Sequence, residues 1–170
     1  MSKIRIAGYV DDSIVDGPGI RFTIFTQGCA HHCFNCHNPE TWAFDKGKDV
    51  DIDELISKIK RNPLLQGITL SGGDPLYQVD ACLELVKKVK ELNSDLDIII
   101  YTGFTFEELA NNFKKNNDLL SLLKLSDILI DGKYEDSLRD LTLRFRGSSN
   151  QRVINLKKTF LEEKIVLENW

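Results

Sequence analysis

The chain has 170 residues, 42% hydrophobic and 28% charged, which is enough apolar material for one compact domain and too little for two. Its net charge of −4 argues against a nucleic-acid surface, and no apolar run approaches the ~20 residues of a membrane span. The N-terminus lacks a cationic region followed by a hydrophobic core, and there is no repeat or low-complexity tract. The expectation is a single cytoplasmic domain over residues 1–170, with no nucleic-acid or membrane partner.

In chain order, residues 3–10 alternate apolar and polar and suit an edge strand. Asp11 to Gly19 is turn-rich, with Gly17-Pro18-Gly19 forbidding regular structure. Ile20 to Thr26 alternates with β-branched and aromatic residues, a strand that runs straight into a cysteine loop. Asp51 opens a helix as its N-cap, with Glu54 at the capping-box position, and Asn62-Pro63 ends it. Gly67 to Leu70 is a short buried strand leading into Ser71-Gly72-Gly73-Asp74-Pro75, and a helix follows from about Val79. Asp97 to Thr102 has the continuous apolar run of a strand covered on both faces.

Thr105 and Glu108 form a second capping box at the start of another helix, and Leu119 to Leu125 is helical. Ser126 to Ile130 is a strand ending in Asp131-Gly132-Lys133-Tyr134. Leu141 to Phe145 suits a strand, as does Gln151 to Ile154, with a polar loop between them. Asn155 to Trp170 fits helix or strand equally. Alternation of apolar strands with helices argues for a mainly parallel α/β sheet. Four or five βα units are too few to close an eight-unit barrel of ~250 residues, so the expected fold is a partial, open βα barrel.

Three of the four cysteines fall within eight residues, as Cys29-x3-Cys33-x2-Cys36. Closely spaced thiolates of this kind hold iron–sulfur clusters, and three ligands on a cubane leave one iron open for a substrate. The competing reading is a structural zinc site completed by His32 or His37, although such sites usually split their ligands into two separated pairs. Unpaired thiols in a reducing compartment make a disulfide the weaker alternative. Cys82 lies on the apolar stripe Val79-Cys82-Leu83-Val86-Val89 and reads as core.

The Cys-x3-Cys-x2-Cys run resembles the signature of the radical S-adenosylmethionine (SAM) superfamily. Its flanks, Asp16-Gly17-Pro18-Gly19-Ile20-Arg21 and His37-Asn38-Pro39-Glu40-Thr41-Trp42, resemble those of the glycyl-radical activating enzymes. Arg146-Gly147-Ser148-Ser149-Asn150-Gln151-Arg152 resembles a C-terminal signature of the activases of anaerobic (class III) ribonucleoside-triphosphate reductase. The resemblance implies a [4Fe–4S] cluster on Cys29, Cys33 and Cys36, with SAM chelating the fourth iron. It further implies cleavage of SAM to a 5′-deoxyadenosyl radical, which takes hydrogen from a glycine of the reductase. A low-potential donor such as flavodoxin or ferredoxin would feed the cluster.

By the same resemblance, Gly72, Gly73 and Asp74 match a segment that binds the methionine amino group of SAM. Asp131 and Lys133 match an Asp-x-Lys that contacts SAM, and Tyr101 and Thr102 match another SAM-facing segment. Asn35 stands where many relatives carry an adenine-stacking aromatic, with Phe34 one place earlier. The histidines of the loop are expected to tune the sulfurs or meet the partner. Two alternatives stay open. One is another radical SAM enzyme such as a pyruvate formate-lyase activase, usually longer and without the 146–152 match. The other is a non-catalytic zinc or electron-transfer module, which would bind no SAM.

Overall fold

Residues 2–170 are described in a computed structural model of the chain. One seven-stranded sheet runs through it in the order β3-β1-β2-β4-β5-β6-β7. Four central strands are parallel: β2 (Arg21–Thr26), β4 (Gly67–Gly72), β5 (Asp97–Tyr101) and β6 (Ile128–Asp131). The flanking strands β1 (Lys3–Ser13), β3 (Lys48–Asp51) and β7 (Arg152–Asn155) pair antiparallel. The order does not return on itself, so the sheet stays an open half-barrel.

Side-chain alternation decides the two faces. Phe22, Ile24, Ile68, Leu70, Ile98, Ile100, Leu129 and Ile154 point to one side and form the main core with the helices. That side is covered by α1 (Ile52–Lys60), α2 (Val79–Leu92), α4 (Asn117–Leu125) and α5 (Leu156–Glu162). The short α3 (Phe106–Ala110) carries the Thr105–Glu108 capping box, with both reciprocal bonds made. Asp51 caps α1 by accepting from Asp53 N at 3.0 Å.

The intervening residues face the hollow of the half-barrel. Ile99, Ile130 and Val153 make a small second cluster there, against Tyr101, Phe145 and Trp170. On the β2–β4 side the hollow is polar, with Arg21, Thr23 and Thr69 fully buried. Arg21 acts as a plug. It donates to Thr69 Oγ1 (2.8 Å), Ile68 O (2.8 Å) and Pro18 O (3.1 Å) and pairs with Asp97.

Three stretches differ from the sequence expectation. Residues Lys48–Asp51 form β3, a short edge strand whose charges hide the alternation, as edge strands often do. Leu141 to Phe145 is a loop rather than a strand. Asp140 N bonds Gly147 O (3.1 Å), which turns the chain back on itself and leaves Leu141 83% exposed. The ambiguous C-terminus resolves as α5, stopped by Glu163 in the left-handed region, followed by a bridge from Leu167 to Ile154. No helix among the described residues is long and apolar enough to cross a membrane.

Candidate active site

Parallel strands bring their C-terminal ends together, and there a cleft of about 470 Å³ opens, a size usual for small-molecule sites. Cys29, Cys33 and Cys36 line it from the loop after β2, and Gly72 and Gly73 from the end of β4. Tyr101 and Thr102 line it from the end of β5, and Lys133 from the segment after β6. Eight of the residues expected to hold the cluster or SAM therefore share one cavity.

The cysteine loop is tied down at both ends. Gly28 N donates to Thr41 O (2.7 Å) and Cys29 N to Trp42 O (3.0 Å). From the other side, Asp74 N donates to Gly28 O (2.9 Å) and Gly73 N to Thr26 O (2.8 Å). This crossing explains the glycine at 73, since a Cβ there would lie 2.5 Å from Gly28 O. Gly72 has φ +98°, open to glycine at little cost.

Asp74, Asp131 and Asn35 lie outside the cleft, unlike the other expected cofactor contacts. The Asp74 carboxylate is 1% exposed and already occupied. It accepts from Leu76 N (3.0 Å), Thr102 Oγ1 (2.8 Å), Gly103 N (2.9 Å) and His31 Nε2 (2.7 Å). Asp131 is likewise buried and accepts from Phe106 N (2.8 Å) and from Arg152 (Nε 3.1 Å). Asn35 is exposed at φ +54°, one of the few residue types that tolerate this turn. It turns the chain so that Cys36 N reaches Cys33 O (3.1 Å).

A family model described as "4Fe-4S single cluster domain" matches residues 15–154. The anaerobic ribonucleoside-triphosphate reductase-activating protein of Escherichia coli K12 is 38% identical, over 88% of this chain and 97% of that protein. The protein of the same name from Enterobacteria phage T4 is 39% identical, over 82% of this chain and 86% of that one. This chain belongs to the activating-protein family. A fainter likeness, to the crystal structure of QueE from Escherichia coli, has a TM-score of 0.43 at 16% identity, covering 61% of this chain and 54% of that one. It carries no weight here.

The donor set of this family member suits a cluster better than a zinc ion. All four cysteines are free. Of the loop histidines, His31 bonds Asp74 through Nε2, while the rings of His32 and His37 pack on Trp42 (4.6 Å) and Tyr134 (5.1 Å). Among the described residues no three His, Cys, Asp or Glu groups converge on a single-ion site. Three thiols without a fourth protein donor are what a cubane with one open iron requires. Burial pushes the Cys29 thiol up to about 11 and raises Cys33 as well, so ligation would release protons. Cys82 is fully buried in α2, and desolvation lifts it to about 12. It is core, away from the cleft.

Two features of the activating-protein family member went unread in its sequence. One is the Arg21 plug, visible only as part of a flanking motif. The other is the brace formed by Gln151, Asn150 and Arg152. Gln151 donates to Gly132 O (3.2 Å), and Asn150 to Lys133 O (2.7 Å). These bonds hold the strand exit that presents Lys133. The clustering of amides in 146–152 was the available signal, but their partners lie 17–21 residues away in sequence.

Proposed function

We propose that the chain activates an anaerobic ribonucleoside-triphosphate reductase by installing a glycyl radical, using a [4Fe–4S] cluster and SAM. The observation that carries this is the cleft itself, three free thiols without a fourth protein donor facing Gly72-Gly73 and Lys133. When bound, the cluster and SAM supply one-electron reductive cleavage to a 5′-deoxyadenosyl radical that abstracts hydrogen from a glycine.

The chain's own residues position and shield. Cys29, Cys33 and Cys36 hold the cluster. Gly72 and Gly73 present backbone groups to the amino-acid end of SAM, and Tyr101, Thr102 and Lys133 line the remainder of its site. Tyr101 OH donates to Phe145 O (2.6 Å), which fastens the 140–150 loop over the β5 end. Asp74 and Asp131 act one step back, through His31 and Arg152. The half-barrel is open at the cleft mouth, where Val15 and Leu141 are largely exposed, leaving room for a loop of a protein substrate. Free thiols fit a reducing cytoplasm, where flavodoxin or ferredoxin would serve as reductant.

The test is anaerobic incubation of the reconstituted chain with its reductase, SAM and a reductant, followed by EPR on the reductase. A SAM-dependent glycyl-radical doublet is expected. Its absence, with cluster and SAM both bound, would refute the activase role.

A further inference from the structure

Side chains of the 144–152 segment divide into two groups. Gln151 and Asn150 brace the backbone after β6, Arg152 pairs with the side chain of Asp131 at its end, and Gln151 also accepts from Gly147 N (2.9 Å) and Ser148 N (3.1 Å). Arg146 braces nothing. It lines the same cleft as Lys133, and its Nε is buried without an acceptor. Among the described residues it forms no ion pair. Asp140 feels its charge, but that carboxylate is turned onto Thr142 N (2.9 Å) and Oγ1 (2.5 Å).

A buried guanidinium donor with no acceptor is expensive and calls for a partner. Gly147, next in the chain, packs so closely on Tyr134 and His37 that a Cβ there would lie 3.1 Å and 3.3 Å from their rings. Tyr134 N in turn reaches the Cys33 thiol. Arg146 thus borders the cysteine loop, in the same cavity as Gly72, Gly73 and Lys133.

We propose that Arg146 binds the carboxylate of SAM. The assignment rests on the SAM-dependent reading above. SAM carries one anionic group, since its sulfonium and ammonium are both cationic. The planar fork of an arginine matches a carboxylate with two parallel bonds, which a lysine cannot reproduce. Lys133 adds positive field without duplicating that geometry.

The experiment measures dissociation constants of SAM and of decarboxylated SAM by equilibrium dialysis, on the reconstituted holoprotein. Wild type, Arg146→Ala and Arg146→Lys are compared, with iron per chain determined for each. Arg146→Ala should weaken SAM about tenfold or more, leave decarboxylated SAM unchanged and keep its iron. Arg146→Lys should fall between wild type and Arg146→Ala. Equal weakening of both ligands by the two variants would assign Arg146 a structural role and overturn the proposal. So would unchanged SAM binding, or an effect that appears only when the reductase is present. Failure of wild-type holoprotein to bind SAM at all would instead overturn the SAM-dependent reading, and this assignment with it.

Discussion

His31 and Asp74 are separated by 43 positions in the chain, yet their side chains meet at 2.7 Å. Asp74 also accepts from Thr102 and Gly103, so one carboxylate ties the cysteine loop to the ends of β4 and β5. Both partners are almost wholly buried, at 6% and 0% side-chain exposure. Low-dielectric surroundings strengthen such a network and make its disruption costly. Cys29 lies two residues from His31, so the network bears directly on cluster assembly.

Asp74→Asn keeps the shape but replaces one acceptor oxygen with a donor, which must face either Leu76 N or the pair His31 and Gly103 N. Loss of a charged hydrogen-bond acceptor should cost about 1.5–3 kcal/mol of stability, together with reduced iron per chain after reconstitution. Denaturant unfolding and iron analysis check both. Full iron occupancy in a clearly destabilised variant would separate this network from the cluster loop.

Gly103 should be intolerant of even a methyl group. A Cβ there would sit 2.5 Å from the His31 ring, and that ring is confined by Phe104 (4.7 Å) and Tyr77 (5.8 Å). Gly103→Ala is expected to cost about 1–3 kcal/mol through overpacking. Adding His31→Ala should recover part of the loss, a coupling that a double-mutant cycle measures.

Arg21 lies at the opposite end of the parallel strands from the cleft. Arg21→Met would strand Asp97 and two backbone carbonyls, at a cost on the order of 3 kcal/mol. The melting temperature should fall while the folded fraction keeps its iron and SAM affinity. A loss of SAM binding at full iron content would contradict the purely structural role.

The two kinds of cysteine should respond in opposite ways. Cys33 sits on a half-exposed loop, so Cys33→Ala should abolish the cluster with little change in unfolding free energy. Cys82 is 0% exposed, donating to Pro75 O at 3.4 Å. Cys82→Ala should cost about 1 kcal/mol through the small void left and retain full iron and activity.

Local signals carried most of the fold. The helix at Ile52 is announced by Asp51, the helix at Phe106 by Thr105 and Glu108, and β2, β4 and β5 by their apolar runs. Short-range patterns misjudged Leu141–Phe145, because exposed Leu141 and half-buried Leu143 line the cleft where a strand would need a partner. The cluster cysteines were legible because three ligands sit close in sequence. Asp74 and Asp131 were expected to contact SAM, and in the structure both carboxylates are buried and already bonded to groups of this chain. A carboxylate after a strand end looks the same in sequence whether it meets a ligand or, as with Asp131 and Arg152 21 residues on, another side chain.

The central claim is an open-iron cluster that takes SAM. Anaerobic reconstitution with iron and sulfide, dithionite reduction and EPR with and without SAM test it most directly. A reduced [4Fe–4S] signal that changes on adding SAM, with 5′-deoxyadenosine formed, is the predicted result. Stoichiometric zinc binding without any SAM-dependent signal would contradict it.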